Sequence, residues 1–280
     1  MNISYFLRFN VWFAIAYFVI VILISVYVAS YFDVVEATSD VILMSILYGL
    51  LFLLVFVRYD IGKVFFKRQT TMGDISSSYG LTALIIAASV FFIFFVAFAS
   101  KYFQISYLEE IYFDDSVTFY EIAGSYLTWQ NMVIFLFISF LVPIVEELFF
   151  RGLIMDVLLK KNSPVSSIFI SAMFFGILHG DVTGAFLFGV LLGFIYVRTE
   201  SLSIPIFIHI ANNLFAAVMV AIEEMGILSM EAKIEDLYSA NSVAFLISTA
   251  VLTVLAYFCV FRSYKGFILK LNTNIEKAII

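Results

Sequence analysis

The sequence predicts an all-α, polytopic transmembrane helix bundle of about eight spans, with its polar site inside the bundle. Composition is the first observation: 64% of the 280 residues are hydrophobic and 13% are charged, against about 45–50% apolar and about 25% charged in soluble domains. The second is the spacing of apolar runs, which recur at membrane-spanning length. The third is the distribution of positive charge, which alternates from one connection to the next.

The runs are taken in chain order. Arg8 precedes a run from Val11 to Phe32, which is too long for a signal-peptide core and reads as a retained first span. The connection from Asp33 to Asp40 is acidic, and Val41 to Val57 forms the second span. Arg58, Lys63, Lys67 and Arg68 mark the next loop, followed by a third span from Leu81 to Ala99. A long acidic, aromatic connection runs from Ser100 to Gln130, and Asn131 to Phe150 is the fourth span. Gly152 to Lys161 continues as an amphipathic helical pattern. Asn162-Ser163-Pro164 carries turn and helix-start chemistry. The fifth, sixth and seventh spans are Val165 to His179, Val182 to Val197 and Ser203 to Ile222. In the sixth, Ala185, Gly189 and Gly193 form a stripe of small residues that permits close helix approach. An acidic loop from Glu223 to Ala240 leads to the eighth span, Ser242 to Phe261, and a basic tail.

With eight spans, every Lys and Arg except Lys101 and Lys233 falls on one side of the membrane. The positive-inside rule then makes both termini cytoplasmic. The chain divides into residues 1–130 (three spans and a large extracytoplasmic loop), 131–222 (a polar-site core) and 223–280 (last loop, last span and tail). A net charge of −6 and the lack of a basic patch exclude a nucleic-acid partner. Cys259 is the only cysteine, so there is no disulfide within the chain and no cysteine zinc cluster.

The chemistry concentrates in Pro143-Ile-Val-Glu146-Glu147-Leu-Phe-Phe-Arg151-Gly152. Ionisable groups in a membrane segment are costly and mark functional sites by default. Glu147 and Arg151 are four apart, acid first, the favourable order for an ion pair. Glu146 is turned aside by about 100° on the helix and is left for chemistry. A buried ion-pair lock between helices is the competing reading of this stretch alone. The two histidines of the chain, His179 and His209, both fall in spans. In a hairpin of the fourth and fifth spans, Glu146 and His179 lie about 24 Å from the turn at 1.5 Å per residue, provided the helix runs on past Gly152. His209 and Asn213 share a helix face and can offer two N–H groups to one oxygen, as an oxyanion hole needs. Asn212 is turned away. There is no Gly-x-Ser-x-Gly elbow, which leaves a carboxylate-activated water as the nucleophile.

Glu146-Glu147-Leu-Phe-Phe-Arg151, Phe175-Gly-Ile-Leu-His179 and His209-Ile-Ala-Asn-Asn213 together resemble the CAAX-protease and bacteriocin-processing family of intramembrane proteases, also called CPBP, Abi or type II CAAX prenyl endopeptidases. Order and spacing match the family pattern without a gap, over about Asn131 to Ile222. The resemblance implies an integral protein, in a bacterial cell membrane, that hydrolyses a membrane-associated peptide or protein substrate. By the same resemblance Glu146 would activate water and His179 would hold or protonate it. His209 and Asn213 would stabilise the oxyanion, while Glu147 and Arg151 would hold the site together. Glu146, His179 and His209 also make a His₂Glu set of the kind zinc accepts. There is no His-Glu-x-x-His motif, and the reading favours a metal-free mechanism. The family also includes members read as scaffolds or bacteriocin-immunity proteins, so a non-proteolytic membrane role is the alternative. A proton-coupled transporter would use the same residue types, but no repeat or pair of broken helices is evident.

Overall fold

The computed structural model of the chain describes residues 36–58, 119–122, 124–179 and 181–226, with isolated helical positions within 16–27, 80–83 and 247–258. Every long element among them is a helix. Helix α1 runs Glu36–Arg58. Helix α2 is the 31-residue Trp129–Leu159. Helices α3, α4 and α5 run Pro164–Ile177, Val182–Thr199 and Ser203–Glu224. Among the described residues, three stretches are long and apolar enough to cross a membrane: Trp129–Leu159, Val182–Thr199 and Ser203–Ile222. The protein is therefore an all-α, polytopic membrane helix bundle. The expected first, third and eighth spans fall largely or wholly outside the described residues.

The helix boundaries follow from local chemistry. Thr128 caps α2, its side chain accepting from the Asn131 N–H. At the other end, the N–H groups of Lys161 and Asn162 and the Asn162 side chain all donate to the Leu158 carbonyl, satisfying a terminal acceptor. Ser163 and Pro164 then restart the chain: Ser163 Oγ accepts from Ser166 N, and Pro164 takes the first helical position, where its missing N–H costs nothing. Asp181 caps α4 through Gly184 N at 2.8 Å. Helix α4 ends on Glu200, held in the left-handed conformation at φ 51°.

The sequence ends the fourth span at Phe150, continues it as an amphipathic pattern, and makes the hairpin geometry depend on a helix that runs on past Gly152. It does: α2 runs unbroken to Leu159, through two π-helical turns at Phe137–Leu141 and Leu148–Ile154. Proline explains the first. In that turn the Val142 N–H bonds back to the Phe137 carbonyl, five residues away. The same register assigns the Ile138 carbonyl to residue 143, a proline with no N–H to give. Each π turn shifts the side chains that follow it around the helix, and such turns are frequent at functional sites.

The chain divides into two compact units. The first holds α1, α2, the start of α3 and α5. Within it α5 packs on the first π turn and on Val142–Glu147, while α1 packs on the start of α2 and on Val142–Ile154. Its interior is lined by Leu51, Ile134, Val145, Phe149, Phe150, Ile154 and Ile208, all buried. Met132, Leu136, Phe140, Phe207 and Phe215 are exposed, the apolar outer face that hydrocarbon requires. At the Trp129 end, the buried Asn131 side chain ties down the segment before the helix. Its oxygen accepts from Tyr120 N, and its nitrogen donates to the carbonyls of Tyr120 and Tyr126. Phe119 N donates to Glu224 and the Tyr120 hydroxyl to Asp40, so the segment is also fixed to α5 and α1.

The second unit holds the end of α3 and α4 among the described residues. Here the expected close approach occurs at Gly189, where a Cβ would stand 3.2 Å from the backbone of Ala172.

Candidate active site

Four of the predicted site residues meet in the first unit. Glu146 and Glu147 sit on the short α-turn between the two π segments of α2, Arg151 lies within the second, and His209 comes from α5. All four are buried, Glu147 and Arg151 to 0% and 1% exposure. Arg151 Nη1 stands 2.8 Å from Glu147 Oε1. The same oxygen also receives His209 Nδ1 at 2.9 Å. A carboxylate only accepts, so Nδ1 carries a proton, and the ring's other nitrogen, Nε2, is turned toward Glu146. Nε2 lies 3.8 Å from Glu146 Oε2.

Glu147 thus does two things. It neutralises Arg151, and it fixes the tautomer and orientation of His209, as a buried acid does behind a catalytic histidine. Sequence reasoning reached the first role from the four-residue spacing but not the second, because Glu147 and His209 are 62 positions apart.

Glu146 is held from the opposite side. The Tyr48 hydroxyl, on α1, donates to Glu146 Oε1 at 3.0 Å. Sequence reasoning missed this residue. Its signal was weak, one hydroxyl in an apolar run already rich in tyrosine.

Asn213 also has a contact the sequence did not predict. Its Nδ2 donates to the Ile138 carbonyl at 3.0 Å, the acceptor that Pro143 leaves without its π-register donor. One Asn213 N–H is therefore spent on the helix irregularity. The amide has a second. Asn212 Nδ2 donates to Asn213 Oδ1 at 3.3 Å, which turns Asn212 toward its neighbour.

His179 belongs to the second unit, just past the end of α3. Its Nδ1 lies 2.6 Å from the Phe175 carbonyl, one turn back, so the proton sits on Nδ1. The ring packs on Phe175 with centroids 4.3 Å apart.

Among the described residues, no three His, Cys, Asp or Glu side chains gather closely enough to share a metal ion.

The family model described as "Type II CAAX prenyl endopeptidase Rce1-like" matches residues 127–215. That segment contains every site residue above except Tyr48. Over these residues the chain is similar to that family. It is also 36% identical over 80 residues to "Putative membrane peptidase YdiL" of Bacillus subtilis (strain 168), a match covering 28% of this chain and 33% of that relative. The chain therefore aligns with about a third of the curated relative it matches. No solved structure matches. The Rce1-like segment begins just before α2 and ends within α5, so α1 and Tyr48 lie outside it.

Proposed function

We propose that this chain is an intramembrane endopeptidase that hydrolyses a peptide bond in a membrane-associated protein or peptide, with Glu146 activating the water. The observation that carries the reading is the buried relay Arg151–Glu147–His209, which ends at a nitrogen facing Glu146 Oε2.

The steps follow from the donors and acceptors present. A water bonded to Glu146 Oε2 gives up a proton to that carboxylate as its oxygen attacks the scissile carbonyl. The C=O electrons move onto oxygen. His209, in its doubly protonated form, donates from Nε2 to this oxyanion, while Glu147 balances the ring charge through Nδ1. The second Asn213 N–H is the other donor. Glu146 then returns its proton to the leaving nitrogen as the C–N bond breaks, and the carboxylate is regenerated. A glutamate base and an imidazole donor suffice for these transfers, so the reading names no resident metal.

We further propose eight spans with both termini cytoplasmic, supported by the one-sided Lys and Arg distribution, and a bacterial cell membrane as the setting, supported by the bacterial relative. Comparative peptidomics of membranes from wild-type and Glu146→Gln cells tests the activity. Peptides that depend on Glu146 are expected. Identical peptide sets at equal amounts of folded protein would overturn the reading.

A further inference from the structure

We propose that Tyr48 is a positioning residue, holding the Glu146 carboxylate so that one oxygen is always presented to His209. The inference rests on Glu146 acting as the base. A carboxylate has two equivalent oxygens and turns easily about its last bond. Here the two are distinguished. Oε1 accepts the Tyr48 hydroxyl at 3.0 Å, and Oε2 lies 3.8 Å from His209 Nε2. The phenol bond fixes which oxygen faces the imidazole, and hence where a water between them is deprotonated.

The bond joins α1 to the middle of α2 across 98 positions. Helix α1 packs on Val142–Ile154 as well as on the start of α2, so the tyrosine stands on a seated element rather than a loop. Glu147, next in sequence, is fixed by Arg151 and His209. Each of the two adjacent carboxylates is therefore oriented by a different neighbour, one for structure and one for chemistry. Tyr48 lies outside the Rce1-like segment at 127–215, so the base of that segment is aligned by a residue the segment does not contain.

The test uses full-length Tyr48→Phe, which keeps the ring and removes only the hydroxyl, in vesicles of the native membrane lipids. The first readout needs no substrate. The infrared carboxylate band that disappears in Glu146→Gln identifies Glu146. In Tyr48→Phe that band should shift to the position of a carboxylate without a phenol donor. The second readout is formation of the peptides that depend on Glu146, per folded molecule. It should fall about tenfold, the scale of one hydrogen bond to a charged group, with the folded amount unchanged. An unmoved band, or a moved band with an unchanged rate, would overturn the positioning role. If Glu146→Gln alters no peptide, the proteolytic reading fails, and the role of Tyr48 fails with it for that separate reason.

Discussion

Arg151→Met removes the guanidinium that pairs with Glu147 and keeps most of the side-chain volume. In the wild type, Arg151 and Glu147 are buried at 1% and 0% exposure with 2.8 Å between their charges. The variant leaves the Glu147 carboxylate in the interior with the His209 ring 2.9 Å away. Breaking a buried pair by removing one member costs about 3–5 kcal/mol, a factor of about 10²–10⁴ in the folded ratio at 1.36 kcal/mol per tenfold. The assay is unfolding of purified protein in mixed micelles by increasing SDS, followed by tryptophan fluorescence. Arg151→Met should unfold at much lower SDS than wild type. The double variant Arg151→Met with Glu147→Gln removes both charges, and replacing a whole buried pair is often neutral. It should recover much of the loss while remaining inactive, because His209 has lost its charged partner. If Arg151→Met is as stable as wild type, the account of Glu147 as a carboxylate anchored by Arg151 is wrong.

Asn213→Ala should cost about 1–3 kcal/mol by leaving the Ile138 carbonyl unsatisfied, and that cost should shrink in a Pro143→Ala background, where residue 143 regains an N–H; equal costs in the two backgrounds would refute the proline explanation of the π turn. Reporter fusions after Ile280 and within residues 58–80 should report cytoplasm and one near Asp115 the outside, and a cytoplasmic signal at Asp115 would overturn the topology. Elemental analysis of purified, active protein should find metal well below one equivalent, unchanged in His209→Ala; one tightly held zinc per chain, lost in that variant, would replace the glutamate-water mechanism with a metal one.

What the sequence made legible was local. Asn162-Ser163-Pro164 announced the start of α3, and the four-residue spacing of Glu147 and Arg151 announced their pairing. The continuity of α2 was harder to read. The apolar span ended at Phe150 and only an amphipathic pattern continued it, yet with the guanidinium neutralised by Glu147 the segment stays buried and helical. The π turns change hydrogen-bond register without changing composition, so the sequence reading did not reach them. The contacts of Tyr48 with Glu146 and of His209 with Glu147 depend on how α1 and α5 are rotated against α2. An apolar helix in lipid carries little periodicity to set that rotation, because its outer face is as apolar as its inner one.

In the proposed mechanism Glu146 is the base for water. Glu146→Gln keeps the side-chain shape and can still accept from Tyr48, but it cannot take a proton from water. The measurement is the rate at which wild-type and Glu146→Gln membranes release peptides from their resident proteins, with both variants at the same folded amount. The account predicts that the Glu146-dependent products vanish in the variant while its SDS unfolding midpoint stays close to wild type. Undiminished product formation by a well-folded Glu146→Gln protein would contradict it.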